Sequence, residues 1–299
     1  MAHDATTAGT ALATATAERR VPTRRMDFED SLQTVPRHFA AGEDLILSHV
    51  AAVLSGVFPD GEDFFVRSVR RFRKEVTDPE FNRQVAGFIG QEAMHGREHR
   101  AFNNRLAELG YPTKRVEAFI RRVLKARERL LSPLSNLANT AAAEHFTATL
   151  AELLLSDQET RDLFDHDGVR DLFLWHALEE SEHKAVAFDV YRAVGGTERM
   201  RIWTMKVLRT MFIATTSIHV LLGLLGDKDT YHPARLRRSW KTFRNSPLMR
   251  KELWRRLKDY DRPGFHPDDR DNTELVSTWR QHLFGEQGSL NDKLVTQAA

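Results

Sequence analysis

His176-Ala177-Leu178-Glu179-Glu180-Ser181-Glu182-His183 places two imidazoles and a carboxylate on one side of a single predicted helix. At about 100° per residue, His176, Glu180 and His183 fall within a sector of roughly 60°. Concentrating three ligand-type side chains in this way is the habit of a metal site. A second Glu-x-x-His occurs at Glu92-Ala93-Met94-His95. Two such motifs on separate helices, with a lone Glu on each of two others, form the ligand set of dinuclear carboxylate sites in helical bundles.

Composition narrows the chemistry. The 299 residues are 41% hydrophobic, enough for a substantial core in one large domain or two. Lys+Arg of 44 against Asp+Glu of 42 leaves +2, so bulk charge implies no nucleic-acid partner. With no cysteine, thiolate zinc sites, iron–sulfur clusters and cysteine nucleophiles are excluded. A metal here must rely on His, Asp and Glu, a set that suits iron or manganese, with zinc as a further choice.

Helical periodicity runs from about residue 38 to 226 without sustained β alternation, so the fold class is all-α. The predicted helices are 38–55, 61–75, 79–109, 113–130, 133–155, 168–194 and 198–225, with Phe58-Pro59-Asp60-Gly61 separating the first two. Residues 1–25 read as a disordered N-terminal tail, 30–270 as the metal-binding domain, and 271–299 as a C-terminal helix and tail. Between Arg235 and Arg262 lie eleven Lys/Arg and three acidic residues, a basic helical extension. Nothing near the start is a secretory segment, and the chain is expected in the cytoplasm. The apolar stretch Met211–Leu225 is short for a spanning helix and contains His219. It reads as a buried helix, with a membrane-surface contact as the lesser reading, and the predicted helix 198–225 that contains it is expected to wall a substrate channel.

Glu62 and Glu144 complete the ligand set. Counted from the turn near residue 76, Glu62 and Glu92 come level on antiparallel helices, roughly 21 Å from their connection. Glu144 and Glu180 come level in the same way across 156–167. The site is therefore Glu62, Glu92, His95, Glu144, Glu180 and His183, with His176 as a seventh ligand or else a hydrogen-bond donor to one. Glu179 also flanks His183; Glu180 is preferred because it repeats the Glu92-x-x-His95 spacing. Glu62, in the first turn of its predicted helix, has a rival role beside the helix dipole. His99 reads as support or core, and His145 points about 100° away from Glu144. Beyond the metal ligands, no catalytic residue is identified.

At these residues the chain resembles a bacterial family of predicted metal-dependent hydrolases. The likeness rests on Phe58-Pro59-Asp60-Gly61-Glu62-Asp63-Phe64-Phe65, on Gly90-Gln91-Glu92-Ala93-Met94-His95-Gly96-Arg97-Glu98-His99, and on Glu144-His145-Phe146-Thr147-Ala148. It continues through the opening segment to Pro263-Gly264-Phe265-His266-Pro267. In ligand spacing the pattern also resembles the seven-ligand site of di-iron arylamine N-oxygenases. That resemblance implies a ferritin-like four-helix bundle in which two iron ions activate dioxygen, with an electron donor as partner. Oxidation of a small, hydrophobic substrate is the leading expectation. Hydrolysis by a metal-bound water is the alternative, and a non-catalytic metal-binding or storage role the third.

Overall fold

The computed structural model describes residues 20–295. Its helices longer than one turn are α1 Leu45–Phe72, α2 Pro79–Glu108, α3 Thr113–Leu130, α4 Pro133–Ser156, α5 Asp167–His183, α6 Val186–Ala193, α7 Glu198–Leu225, α8 Pro233–Asn245, α9 Lys251–Asp259 and α10 Thr273–Phe284. Among the described residues there is no strand, only the isolated bridges Met26–Leu294 and Ala40–Phe164. The all-α expectation holds.

Local chemistry sets the helix starts. Asp44 and Asp78 accept from the backbone N–H three residues on, at 2.9 and 2.6 Å, and Ser132 and Thr197 cap α4 and α7 likewise. Pro79, Pro133 and Pro233 take the first helical position, where no N–H is needed. The antiparallel pairs α1/α2 and α4/α5 pack together, and α1–α4 and α2–α5 contacts close the four into a bundle. Small buried residues on α4 (Ala138, Ala141, Ala142) let its neighbours approach closely.

The expected break at Phe58-Pro59-Asp60-Gly61 does not occur, and α1 runs through Pro59. Proline removes the bond to the carbonyl four residues earlier, which is normally enough to kink or end a helix. Here the Ser55 carbonyl is instead satisfied by Asn103 Nδ2 from α2 at 3.0 Å. Glu62 consequently sits inside a long helix, far from any N-terminus, and the dipole explanation for it falls. The predicted helix 168–194 is divided in turn. It breaks at Lys184–Ala185, where Ser181 O accepts from Asn272 Nδ2 and the buried Lys184 turns to Arg270 O.

Two further expectations are corrected. The last residues of the predicted tail are folded: Val21 and Thr23 lie against Gly87 and Gly90 of α2, where any Cβ would come within 2.1 Å of them. The rest of that tail, residues 1–19, falls outside the described residues. The apolar helix is not buried either. Of α7, only Arg201, Thr204, Met205, Val220, Gly223 and Leu224 are buried. It is also the one described helix long and apolar enough to cross a membrane.

Candidate metal centre

Four helices of the bundle deliver the predicted side chains to one place. Glu62 comes from α1, Glu92 and His95 from α2, Glu144 from α4, and His176, Glu180 and His183 from α5. All seven are buried. Their donor atoms form three overlapping groups, Glu62/His95/His176, Glu92/Glu144/His183 and Glu92/His95/Glu180, each within 4.8 Å.

The hydrogen bonds outside this cluster decide which nitrogen of each imidazole faces in. Asn103 Nδ2 donates to the Ser55 carbonyl and to Glu117 Oε1, so its Oδ1 accepts the Ser55 hydroxyl at 2.7 Å. Ser55 Oγ must then accept from His99 Nδ1 at 2.9 Å, and His99 Nε2 from His176 Nδ1 at 2.7 Å. The lone pair left on His176 Nε2 points at Glu180 Oε1, 3.0 Å away, and Glu62 Oε1, 3.7 Å away.

The other two imidazoles repeat the arrangement. Gln91 donates to Pro22 O and Glu182, so its Oε1 accepts from His183 Nδ1 at 2.8 Å. His183 Nε2 then faces Glu92, Glu144 and Glu180 at 3.1, 3.3 and 3.6 Å. His95 gives its Nε2–H to Glu179 at 3.1 Å, turning Nδ1 toward Glu180 and Glu92 at 3.6 and 3.8 Å. Arg24 ties Glu179 and Glu182 together at 2.8–2.9 Å.

Three lone pairs aimed at carboxylates repel unless a cation stands between them. The unmet hydrogen-bonding capacity agrees. All six oxygens of Glu62, Glu92 and Glu144 have no partner, nor do His95 Nδ1 and His183 Nε2, and all are buried. Uncompensated buried carboxylates are expensive. Without a cation, protons take up the strain: burial, reinforced by Glu144, pushes Glu92 up to about 8, and burial with Glu180 beside it pushes Glu144 to about 7. Burial and Glu92 raise Glu62 well above the carboxylate range. Burial disfavours the charged His183, yet Glu180, Glu144 and Glu92 hold it well above an ordinary histidine. The donor set fits divalent cations.

A second buried group, His38, His49 and Asp227, fails the same test. Both Nε2 atoms lie at 3.0–3.1 Å from Asp227 Oδ2, and His38 Nδ1 accepts from Arg235. Its imidazoles donate to the carboxylate and converge no lone pairs on it, and of the atoms in this group only His49 Nδ1 lacks a partner.

A cavity of about 120 Å³ reaches the centre. It is walled by Leu47, Leu54 and Phe58 of α1, Leu150 and Leu154 of α4, and Phe173 of α5, and it ends on His176 and Glu180. No residue of α7 lines it, so the expectation that 198–225 walls the channel is corrected: α7 rests on the outside of α1 and α4. The ring of Phe58 lies 4.8 Å from that of His176 and 4.7 Å from that of His99.

Several contributors escaped the sequence reading. Arg24, Gln91, Glu182, Ser55 and Asn103 touch no metal-ligand lone pair, and their roles depend on contacts between distant helices. Glu179, a rival ligand by spacing alone, holds the far side of His95. His145 lies away from the cluster, its Nε2 on Arg256 O at 3.1 Å.

Fold and site together define a helical protein built around a buried carboxylate–histidine cluster. A family model described as "predicted metal-dependent hydrolase" matches residues 22–271, and the chain belongs to that family. No curated protein and no solved structure matches it.

Proposed function

We propose that the chain is a metalloenzyme holding two divalent cations on Glu62, Glu92, His95, Glu144, His176, Glu180 and His183, and that it hydrolyses a small substrate with an apolar portion. The ferritin-like character of the four-helix core belongs to this reading. The observation that carries the metal assignment is the convergence of three imidazole lone pairs on four carboxylates, with each outward N–H already committed. The family description favours hydrolysis over the oxidation that ligand spacing first suggested.

Bound cations would supply Lewis acidity and a water of lowered pKa. The protein's own groups do the rest. Leu47, Leu54, Phe58 and Leu154 take the apolar part of the substrate and keep bulk water out. A cavity of this size admits a molecule of about benzene's dimensions. Thr147 Oγ1 donates to Glu180 Oε2 and orients it at the cavity end. Glu179, Gln91 and His99 fix the three imidazoles so that none can turn its N–H inward.

Oxygen-dependent oxidation is the second reading, favoured by the apolar lining and a seven-donor set that suits iron. The two are separated by loading metal-free protein anaerobically with manganese, zinc or ferrous ion and offering chromogenic short-chain acyl esters. Turnover with manganese or zinc without oxygen, lost in Glu92→Ala, supports hydrolysis. Ester inertness with every metal, together with oxygen consumption by the ferrous form alone, would replace it with oxidation.

A further inference from the structure

We propose that α7, flanked by α3 and α8, docks the protein on an anionic lipid bilayer, lying in the interface without spanning it. Trp203, Val207, Met211, Ala214, Ile218, Leu221 and Leu225 recur at helical spacing within a sector of roughly 80°. They face away from Arg201, Met205 and Gly223, which are buried against the protein. The stripe is about 33 Å long, and Trp203, Met211, Ile218, Leu221 and Leu225 are 68, 56, 54, 60 and 63% exposed. No charged residue lies on α7 beyond Arg209. A contiguous apolar surface of this extent marks an interaction site.

The attachment of α7 argues against spanning. Its start is held by Arg201, which donates to Tyr260 O and Arg262 O. Near its end Gly223 abuts His49, where a Cβ would come within 2.7 Å of Nδ1. Just beyond, Asp227 is clamped by His38 and His49. A helix fastened to the bundle near both ends cannot leave it to cross a bilayer, but it can lay its outer face into one.

The neighbours supply the charge. On one side His219 meets Phe119 of α3, ring centroids 5.0 Å apart; on the other, Val220 and Leu224 cluster with Leu236 and Phe243 of α8. Helix α3 presents Arg115 and Arg122, and α8 presents Arg237, Arg238, Lys241 and Arg244, all exposed and without an acidic partner among the described residues. Trp240 stands among the α8 cations, 55% exposed. An apolar stripe with a tryptophan and a cationic border is complementary to anionic headgroups. A second copy suits the face less well, because a twofold interface would set these cations against their like.

The test is flotation of the full-length protein with vesicles of phosphatidylcholine, alone or with about one third phosphatidylserine, beside its elution volume in size exclusion. The monomer should float with the anionic vesicles and far less with phosphatidylcholine alone, and added salt should weaken it. Arg237→Glu with Lys241→Glu should weaken binding by at least about tenfold, given roughly fivefold per cation. Leu221→Glu with Leu225→Glu should abolish it while leaving helix content and metal content unchanged, since both side chains are exposed. A monomer that ignores anionic vesicles overturns the proposal. So does a stable dimer that ignores them and is dispersed by Leu221→Glu, which assigns the face to a second copy.

Discussion

His99 Nε2 lies 2.7 Å from His176 Nδ1, and this contact, fixed from behind by Ser55 and Asn103, turns the His176 lone pair onto Glu180 and Glu62. Replacing His99 by Leu removes the acceptor and frees the ring. Metal affinity should drop by about 10- to 100-fold, the usual cost of losing an outer partner of a ligating histidine. His99→Gln, whose carbonyl can still accept, should recover part of the loss. Competitive chelator titration reads both.

The adjacent glutamates on α5 have different work. Glu180→Ala should lose one or both ions, because its oxygens face His176, His95 and His183. Glu179→Gln should keep both sites with affinity weakened by about tenfold, since it acts through His95 and Arg24. If Glu179→Gln empties a site while Glu180→Ala binds two ions normally, the two roles are reversed.

Asn103→Leu strikes the fold where Pro59 interrupts α1. It strands the Ser55 carbonyl, the Ser55 hydroxyl and Glu117 Oε1, all buried. Destabilisation of about 2–4 kcal/mol follows from unpaired buried polar groups, seen as a lower denaturant midpoint at unchanged slope. A change below about 0.5 kcal/mol would mean that α1 tolerates Pro59 without that bond.

Gly87→Ala tests the N-terminal strap. Its new Cβ would sit 2.1 Å from the Val21 carbonyl, a backbone atom that cannot swing aside. Residues 20–25 should lift from α2, releasing Arg24 from Glu179 and Glu182, and trypsin should then cut rapidly after Arg24 or Arg25. Unchanged proteolysis would mean that the strap is held elsewhere.

Metal removal should make stability fall with rising pH. Without cations, burial and neighbouring carboxylates raise Glu92 to about 8 and Glu144 to about 7 from 4.5. The folded chain therefore holds protons that the unfolded chain has shed. Stability from these groups is present below pH 4.5 and is lost as pH rises through 7 and 8. His183, raised by Glu180, Glu144 and Glu92, acts with the same sign. Glu180 is held low by His183 and His176 against its burial, and its window lies below pH 4.5. Cations replace these protons, so the gap in Tm between metal-loaded and metal-free protein should widen from pH 5 to 8. A gap that narrows over that range contradicts the assignment.

Most helix ends and the side chains of the buried cluster were legible in sequence because each rests on local spacing. Asp78-Pro79, Ser132-Pro133 and Gly195-Gly196-Thr197 punctuate the chain by their own chemistry, and the Glu-x-x-His repeats fall on helix faces that any 3.6-residue period exposes. What escaped depends on distant partners. Pro59 reads as a breaker until Asn103, on another helix, supplies the missing donor. The exposure of α7 is hidden for the same reason: an apolar helix reads alike whether its outer face meets protein or stands open.

Counting metal per chain tests the central claim most directly. Metal-free protein, reconstituted anaerobically with ferrous or manganous ion and freed of excess, should retain two ions per chain by elemental analysis. Glu92→Ala, which removes the carboxylate shared by two of the donor groups, should fall to one or none. A wild-type protein that retains none, or only one that Glu92→Ala leaves in place, would contradict the dinuclear centre.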